Sequence, residues 1–204
     1  MMNAEQFLNR RCNNCFIEIF GDEKSGKEKI LVSLAIEKAS KGEIVLYIDS
    51  RGSFRPEKIV ETQKVKIETM GRIDVLKATE PGFIFEKISR LITNKKYKTI
   101  LWDGMSLPFY EIQVSYELSF LARLFSFYAI KGNMITVTNP IVSLRGKPFG
   151  YKYTDPYVHM RVKAEILKEN EGRLTSYGWS AKYFIDEWQV NFEDLVTDEV
   201  TGNN

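Results

Sequence analysis

Residues 17–28 read IEIFGDEKSGKE. A short apolar run leads into Gly21-Asp22-Glu23-Lys24-Ser25-Gly26-Lys27, and a lysine-spiked helical pattern follows. The spacing is that of the phosphate-cradling loop G-x-x-x-x-G-K-[ST], whose backbone N–H groups and lysine hold phosphates while the final hydroxyl holds Mg²⁺. Glu28 stands where that hydroxyl belongs. A strand before such a loop and a helix after it predict an α/β architecture. The altered last position bears on whether the chemistry survives.

Outward from this stretch, short apolar runs alternate with longer helical patterns, the signature of a mostly parallel sheet wrapped by helices. The first strand is expected over 15–20 and the following helix over 28–40, where Ile30, Leu31, Leu34 and Ala35 recur at helical spacing. The continuous apolar run 44–49 predicts a strand buried on both faces. Pro56 opens another helix, at an early position where its missing N–H costs nothing. Strands follow at 73–78, 99–103 and 134–138, with helices at 81–94 and 111–130. The last of these is apolar around much of its circumference (Leu118, Phe120, Leu121, Leu124, Phe125, Phe127, Tyr128), so it is either covered or meets a partner. From Val158 to Ile166 apolar and polar residues alternate, a half-buried strand. A turn at 168–173 and a strand at 183–185 complete an antiparallel C-terminal hairpin. Residues 1–14 read as a lead-in, and 194–204 as a frayed tail.

At 204 residues and 44% hydrophobic, the chain is long enough for one good core and reads as a single domain over 1–204. With 29 basic against 27 acidic residues, any basic surface must be local. The start, MMNAEQFLNRRC, has no apolar signal-peptide region, and no run of about 18 apolar residues predicts a membrane span. A cytoplasmic protein without membrane contact is expected. Cys12 and Cys15 form a lone C-x-x-C pair, too few ligands for structural zinc with only His159 beside them. They read as ordinary cysteines or an incidental disulfide. His159 reads as a surface or hairpin-facing residue, since a general base needs a nearby nucleophile.

Three further fragments fall in order behind the loop: YIDSRGSFRPEKI (47–59), ILWDGMSLPFY (100–110) and ITVTNP (135–140). Together they resemble the RecA-type P-loop ATPase core, most closely archaeal RadA and its shorter paralogues such as RadB. The resemblance covers roughly 15–186 and is strongest over 47–59. It implies a RecA-like fold, with ATP and Mg²⁺ held by Gly21, Ser25, Gly26, Lys27, Glu28 and Asp103, and Asp103 orienting the metal. The departures fall on the chemistry. Arg51 takes the position of the family's water-polarising carboxylate, and a guanidinium cannot accept a proton. Glu28 replaces the metal-binding hydroxyl. Pro140 replaces the glutamine that senses the γ-phosphate. Three losses with the fold signature intact imply that hydrolysis is absent or very slow, so an efficient ATPase is not expected.

The segment after the 134–138 strand, IVSLRGKPFGYKYTDPY (141–157), corresponds to the family's single-stranded DNA loop. Arg145, Lys147 and Lys152 are interleaved with Phe149, Tyr151, Tyr153 and Tyr157. Cations track phosphates and aromatic faces stack bases, a mixture suited to single strands. Gly146, Pro148 and Gly150 are expected to keep it out of helix. The chain begins almost at the core and has no F-x-x-A segment before its first strand, so neither a separate DNA-binding domain nor a filament of this protein alone is expected.

The resemblance therefore implies an accessory recombination or repair factor, binding single-stranded DNA and a RadA-type recombinase or another paralogue, as a homo- or hetero-oligomer. Two competitors stand beside it. One is a slow ATPase of the wider RadA/KaiC class. The other is an inert interaction subunit that docks through 111–130.

Overall fold

The apolar runs become the central strands of one twisted sheet. A computed structural model describes residues 1–63, 65–79, 81–93, 96–110, 115–141, 146–187 and 189–195. The chain runs β1 (Met2–Asn3), α1 (Ala4–Arg11), β2 (Phe16–Gly21), α2 (Lys27–Ser40), β3 (Val45–Asp49), α3 (Pro56–Gln63), α4 (Ile67–Met70) and β4 (Ile73–Lys77). It continues through α5 (Pro81–Thr93), β5 (Thr99–Asp103), α6 (Ser115–Ile130), β6 (Met134–Pro140) and α7 (Tyr151–Thr154). The last strands are β7 (Met160–Lys168), β8 (Glu171–Ser176), β9 (Trp179–Asp186) and β10 (Gln189–Leu195). Among the described residues these strands form a single sheet in the order β1-β10-β9-β8-β7-β2-β6-β5-β3-β4. From β7 through β4 every pairing is parallel, and from β7 out to β1 every pairing is antiparallel.

Alternation along the parallel strands divides two cores. Ile17, Ile19, Val45, Tyr47 and Leu101 join the inward residues of α1 and α2 on one face. Phe16, Leu46, Ile48, Ile100, Trp102 and Val137 join those of α5 and α6 on the other. Helices on both faces are what parallel β-α-β crossovers require. The outer helix α1 is fixed at its start by reciprocal capping, with Asn3 Oδ1 accepting from the Gln6 amide at 2.9 Å and Gln6 Oε1 accepting from Asn3 N. Glu37 of α2 also accepts from the Ala4 and Glu5 amides (3.2 and 2.8 Å), a carboxylate at a helix N-terminus.

The α/β class, the mostly parallel sheet and the antiparallel C-terminal part agree with the sequence reading. The hairpin expectation was too small. Instead of a turn over 168–173, the turn lies at 169–170, and Glu171–Arg173 already belong to β8. Strands β8 and β10 were not anticipated. The 1–14 lead-in holds a strand and a helix, and β1 pairs with β10. Asp194, read as tail, sits in β10 and bridges to Arg10 and Arg11 (3.2 and 2.5 Å), while 196–204 lie outside the described residues. The 111–130 helix is seen from Ser115, with 111–114 outside the described residues. Cys12 and Cys15 are joined as a disulfide at the exit of α1. Among the described residues no helix is long and apolar enough to cross a membrane.

Candidate functional site

In a doubly covered parallel sheet, ligand sites form beyond the carboxyl ends of the strands, and the chemistry-bearing residues of this chain gather there. The loop after β2 makes a 3₁₀ turn at Glu23–Ser25 and reaches α2 through Gly26, whose φ of 76° is left-handed. Gly21 is fixed by close approach instead: a Cβ there would collide with the Ala164 carbonyl of β7. The antiparallel wing grips the loop from outside. Tyr183 of β9 crosses the face of Gly172 on β8, where a side chain would block it, and its hydroxyl donates to the Ser25 carbonyl. Ile185 packs against Gly26.

Lys27 is fully buried at the start of α2. Its Nζ donates to the Asp22 carbonyl at 2.8 Å and lies 2.9 Å from Glu28 Oε1. Glu28 thus supplies an anion to the lysine from the next residue along the chain.

The turn after β3 is built around one carboxylate. Asp49 Oδ1 accepts from the amides of Arg51, Gly52 and Ser53 (3.1, 2.8 and 3.2 Å), and Oδ2 from that of Phe54 at 3.1 Å. This ring of donors fixes two side chains toward Asp103 at the end of β5. Ser53 Oγ donates to Asp103 Oδ2 at 3.0 Å, and Arg51 Nε lies 3.5 Å from Oδ1. Thr138 of β6 donates to Oδ1 at 2.6 Å and accepts from Gly104 N at 3.0 Å. Arg51 Nε also lies 3.6 Å from Glu28 Oε1, so one guanidinium stands between two carboxylates. Burial pushes the Asp103 carboxyl up to about 6, and the nearby Glu28 charge adds to this against the opposing Thr138, Arg51 and Ser53 contacts. Tyr47 Oη is fully buried and, among the described residues, has no hydrogen-bond partner. Burial, with the Asp103, Asp49 and Glu28 charges, raises its phenol well above the ordinary range.

A second polar chain runs beside the first. Asn139, next to Pro140, accepts from Ser106 N and Oγ (2.9 and 2.6 Å) and donates to Glu18 Oε1 at 2.6 Å. Glu18, fully buried in β2, meets Arg161 Nε at 2.6 Å through its other oxygen. Arg161 then reaches Asp155 Oδ1 at 2.6 Å and Thr154 Oγ1 at 3.0 Å, and its guanidinium lies 4.6 Å from the Tyr151 ring centroid. Burial raises the Glu18 carboxyl, while Arg161 and Asn139 oppose the shift.

The expected DNA segment is not wholly out of helix. Gly150, at φ 75°, caps the single turn α7, which carries Tyr151, Lys152 and Tyr153. Lys147 and Lys152 are exposed. Lys147 Nζ lies 4.0 Å from the Tyr151 centroid, so both Lys147 and Arg161 lie near that ring. Phe149 packs on Tyr110 at 4.9 Å between centroids, and Tyr153 and Tyr157 rest against the core. Arg145 lies outside the described residues. His159 is exposed, as expected, yet fully engaged: Nδ1 accepts from Phe16 N at 3.1 Å and Nε2 pairs with Ser126 Oγ at 2.8 Å. On α6, Leu118, Leu121 and Phe125 are buried, whereas Tyr116, Phe120, Phe127 and Ile130 form an exposed row.

The loop residues Gly21, Ser25, Gly26, Lys27 and Glu28 and the distant Asp103 therefore share one end of the sheet, with Arg51 between the two carboxylates. Tyr47, Ser53, Thr138, Glu18, Ser106 and Arg161 were not singled out in the sequence. Only Glu18 left a signal there, as a charge in the middle of the apolar run FIEIF. No protein-family model matches the chain, and no curated protein matches it in sequence.

Proposed function

We propose that this chain is a RecA-type core that binds ATP without hydrolysing it efficiently. It acts on single-stranded DNA as an accessory factor in recombination or repair, alongside a RadA-type recombinase or another paralogue. One observation supports the nucleotide half above all. A loop of phosphate-cradling spacing joins a central parallel strand to the N-terminus of α2, with Lys27 at its end and Asp103 at the end of a strand two places away. Backbone N–H groups at that helix start favour anionic phosphate, and the buried lysine supplies charge. Slow hydrolysis follows from the residues present. Arg51 offers no proton acceptor, and Glu28 engages the lysine itself.

The DNA half rests on Lys147 and Lys152, exposed and lying over the Tyr151 and Tyr153 rings, with Phe149 of the same segment packed on Tyr110. Anisotropy of a labelled single-stranded oligonucleotide, titrated at several salt concentrations, tests it. Removing both lysines is expected to reduce the slope of log affinity against log salt by about 1.4, the contribution of two phosphate contacts on a single strand. An unchanged slope, or no affinity in the parent protein, rejects the DNA reading.

The exposed row on α6 favours a second reading, an interaction subunit. On that reading light scattering detects a dimer or complex that Phe120→Glu weakens, with no oligonucleotide affinity in either protein. The buried Phe125 is unsuitable for this test, because a charge there would attack the core.

A further inference from the structure

A RecA-type nucleotide site implies Mg²⁺ between the loop and the strand-end aspartate. The residues here do not fit it. Mg²⁺ requires oxygen ligands in near-octahedral array at about 2.1 Å and retains several waters. The two carboxylates that could offer oxygens, Glu28 and Asp103, instead face the same arginine, with Nε 3.6 Å from Glu28 Oε1 and 3.5 Å from Asp103 Oδ1. Glu28 Oε1 carries a second cation, Lys27 Nζ, at 2.9 Å. Asp103 is further committed to Thr138 and Ser53. Among the described residues no three carboxylate, histidine or cysteine side chains cluster to hold a metal.

We infer that Arg51 is the resident cation of this site, so that the nucleoside triphosphate it takes is the metal-free form. The inference rests on reading the site as a nucleotide site. The geometry is built rather than incidental. Asp49 gathers the Arg51, Gly52, Ser53 and Phe54 amides, which holds the turn so that the guanidinium projects between strand ends. The Arg51 side chain keeps only 18% of its surface exposed, and among the described residues its Nε has no hydrogen bond of good geometry. That N–H is buried between two carboxylates and forms a well-aligned hydrogen bond with neither, so a stronger acceptor drawn to the guanidinium displaces only loose contacts. Phosphate oxygens are such acceptors, and arginine binds them through a planar fork that a metal ion does not need to bridge. A fixed monovalent cation also explains why a carboxylate is tolerated at position 28: it is paired with Lys27 and Arg51 rather than left facing incoming phosphate alone.

The test is titration of a fluorescent ATP analogue with the full chain, once in EDTA and once in excess Mg²⁺. Wild type is expected to bind in EDTA with an apparent Kd within about threefold of that in Mg²⁺, a difference under 1 kcal/mol. Arg51→Met is expected to lose affinity in EDTA by about tenfold or more, the scale on which one desolvated charge pair acts. Arg51→Lys, which keeps the charge, retains metal-independent binding and guards against a merely unfolded Met variant. Lys27→Ala abolishes binding in both conditions. If wild type binds only when Mg²⁺ is present, or if Arg51→Met binds in EDTA as wild type does, the inference is overturned while the nucleotide reading stands. If wild type binds in neither condition, the nucleotide reading itself fails, and the inference with it.

Discussion

Arg161→Ala is expected to destabilise the protein by about 3–5 kcal/mol, measured as the shift in urea unfolding. The magnitude comes from what the substitution strands. Glu18 is fully buried in the centre of the sheet, and its Oε2 has the Arg161 guanidinium at 2.6 Å. Removing the arginine leaves an ionised carboxylate with Asn139 as its remaining hydrogen-bond donor. It also frees Asp155 and Thr154, which tie α7 to β7. The variant should recover part of the loss in acid, because an unpaired buried carboxyl protonates more readily. Glu18→Gln on the Arg161→Ala background removes the stranded charge and should restore more than half of the lost stability. A single-variant cost below about 1 kcal/mol, the scale of an exposed pair, contradicts this account.

Asp103→Asn should change how stability depends on pH. The Asp103 carboxyl is held up at about 6 by burial, against 3.8 for the ordinary group. The folded protein therefore binds this proton more readily than the unfolded chain does. The stabilisation from that protonation is fully present below about 3.8 and is lost as pH rises through about 6. At pH 8 the wild type carries the cost of a buried ionised carboxylate, at most about 3 kcal/mol for a shift of this size. The asparagine variant should be the more stable protein at pH 8, and its advantage should vanish by about pH 4. The comparison is the difference between the two unfolding curves at each pH, so that other titrating groups cancel. A difference that stays constant from pH 4 to 8 excludes the shift.

What the sequence disclosed follows the strength of local signals. Strands buried on both faces print continuous apolar runs, and β3, β5 and β6 were readable for that reason. The loop and its helix were readable because glycine and lysine spacing has a mechanical cause. The antiparallel wing was harder. In β8 the residues facing the core are Gly172 and Leu174, and Gly172 serves by lacking the side chain that marks a strand face. In β10, QVNFEDL shows two buried positions, Val190 and Phe192, beside charges that resemble a tail. The site divided in the same way. Lys27 and Asp103 announced themselves by motif, whereas Thr138 and Ser53 reach Asp103 only through strand pairing. Arg161 sits on an alternating strand where a solvent-facing cation and a partner of a buried carboxylate print the same pattern. The substitution of Arg51 for a carboxylate was visible. Its placement between Glu28 and Asp103 was not, because it depends on the turn that Asp49 organises.

The pairing of β1 with β10 bears on how the protein comes into being. Met2 lies opposite Phe192, and Asn3 opposite Asn191. Phe7 of α1 stacks on Phe192 at 4.4 Å between centroids. During synthesis β1 therefore has no strand partner until β10, the last described strand, has been made. The parallel half can assemble earlier, since β2 to β6 need only residues already translated. Even with its first amides capped by Glu37 of α2, α1 keeps Phe7 without its Phe192 partner until β10 is made. Contacts of such long sequence separation slow folding and prolong the exposure of apolar surface. A nascent chain halted before β10 should hold its parallel strands and leave its N-terminal helix open to a chaperone.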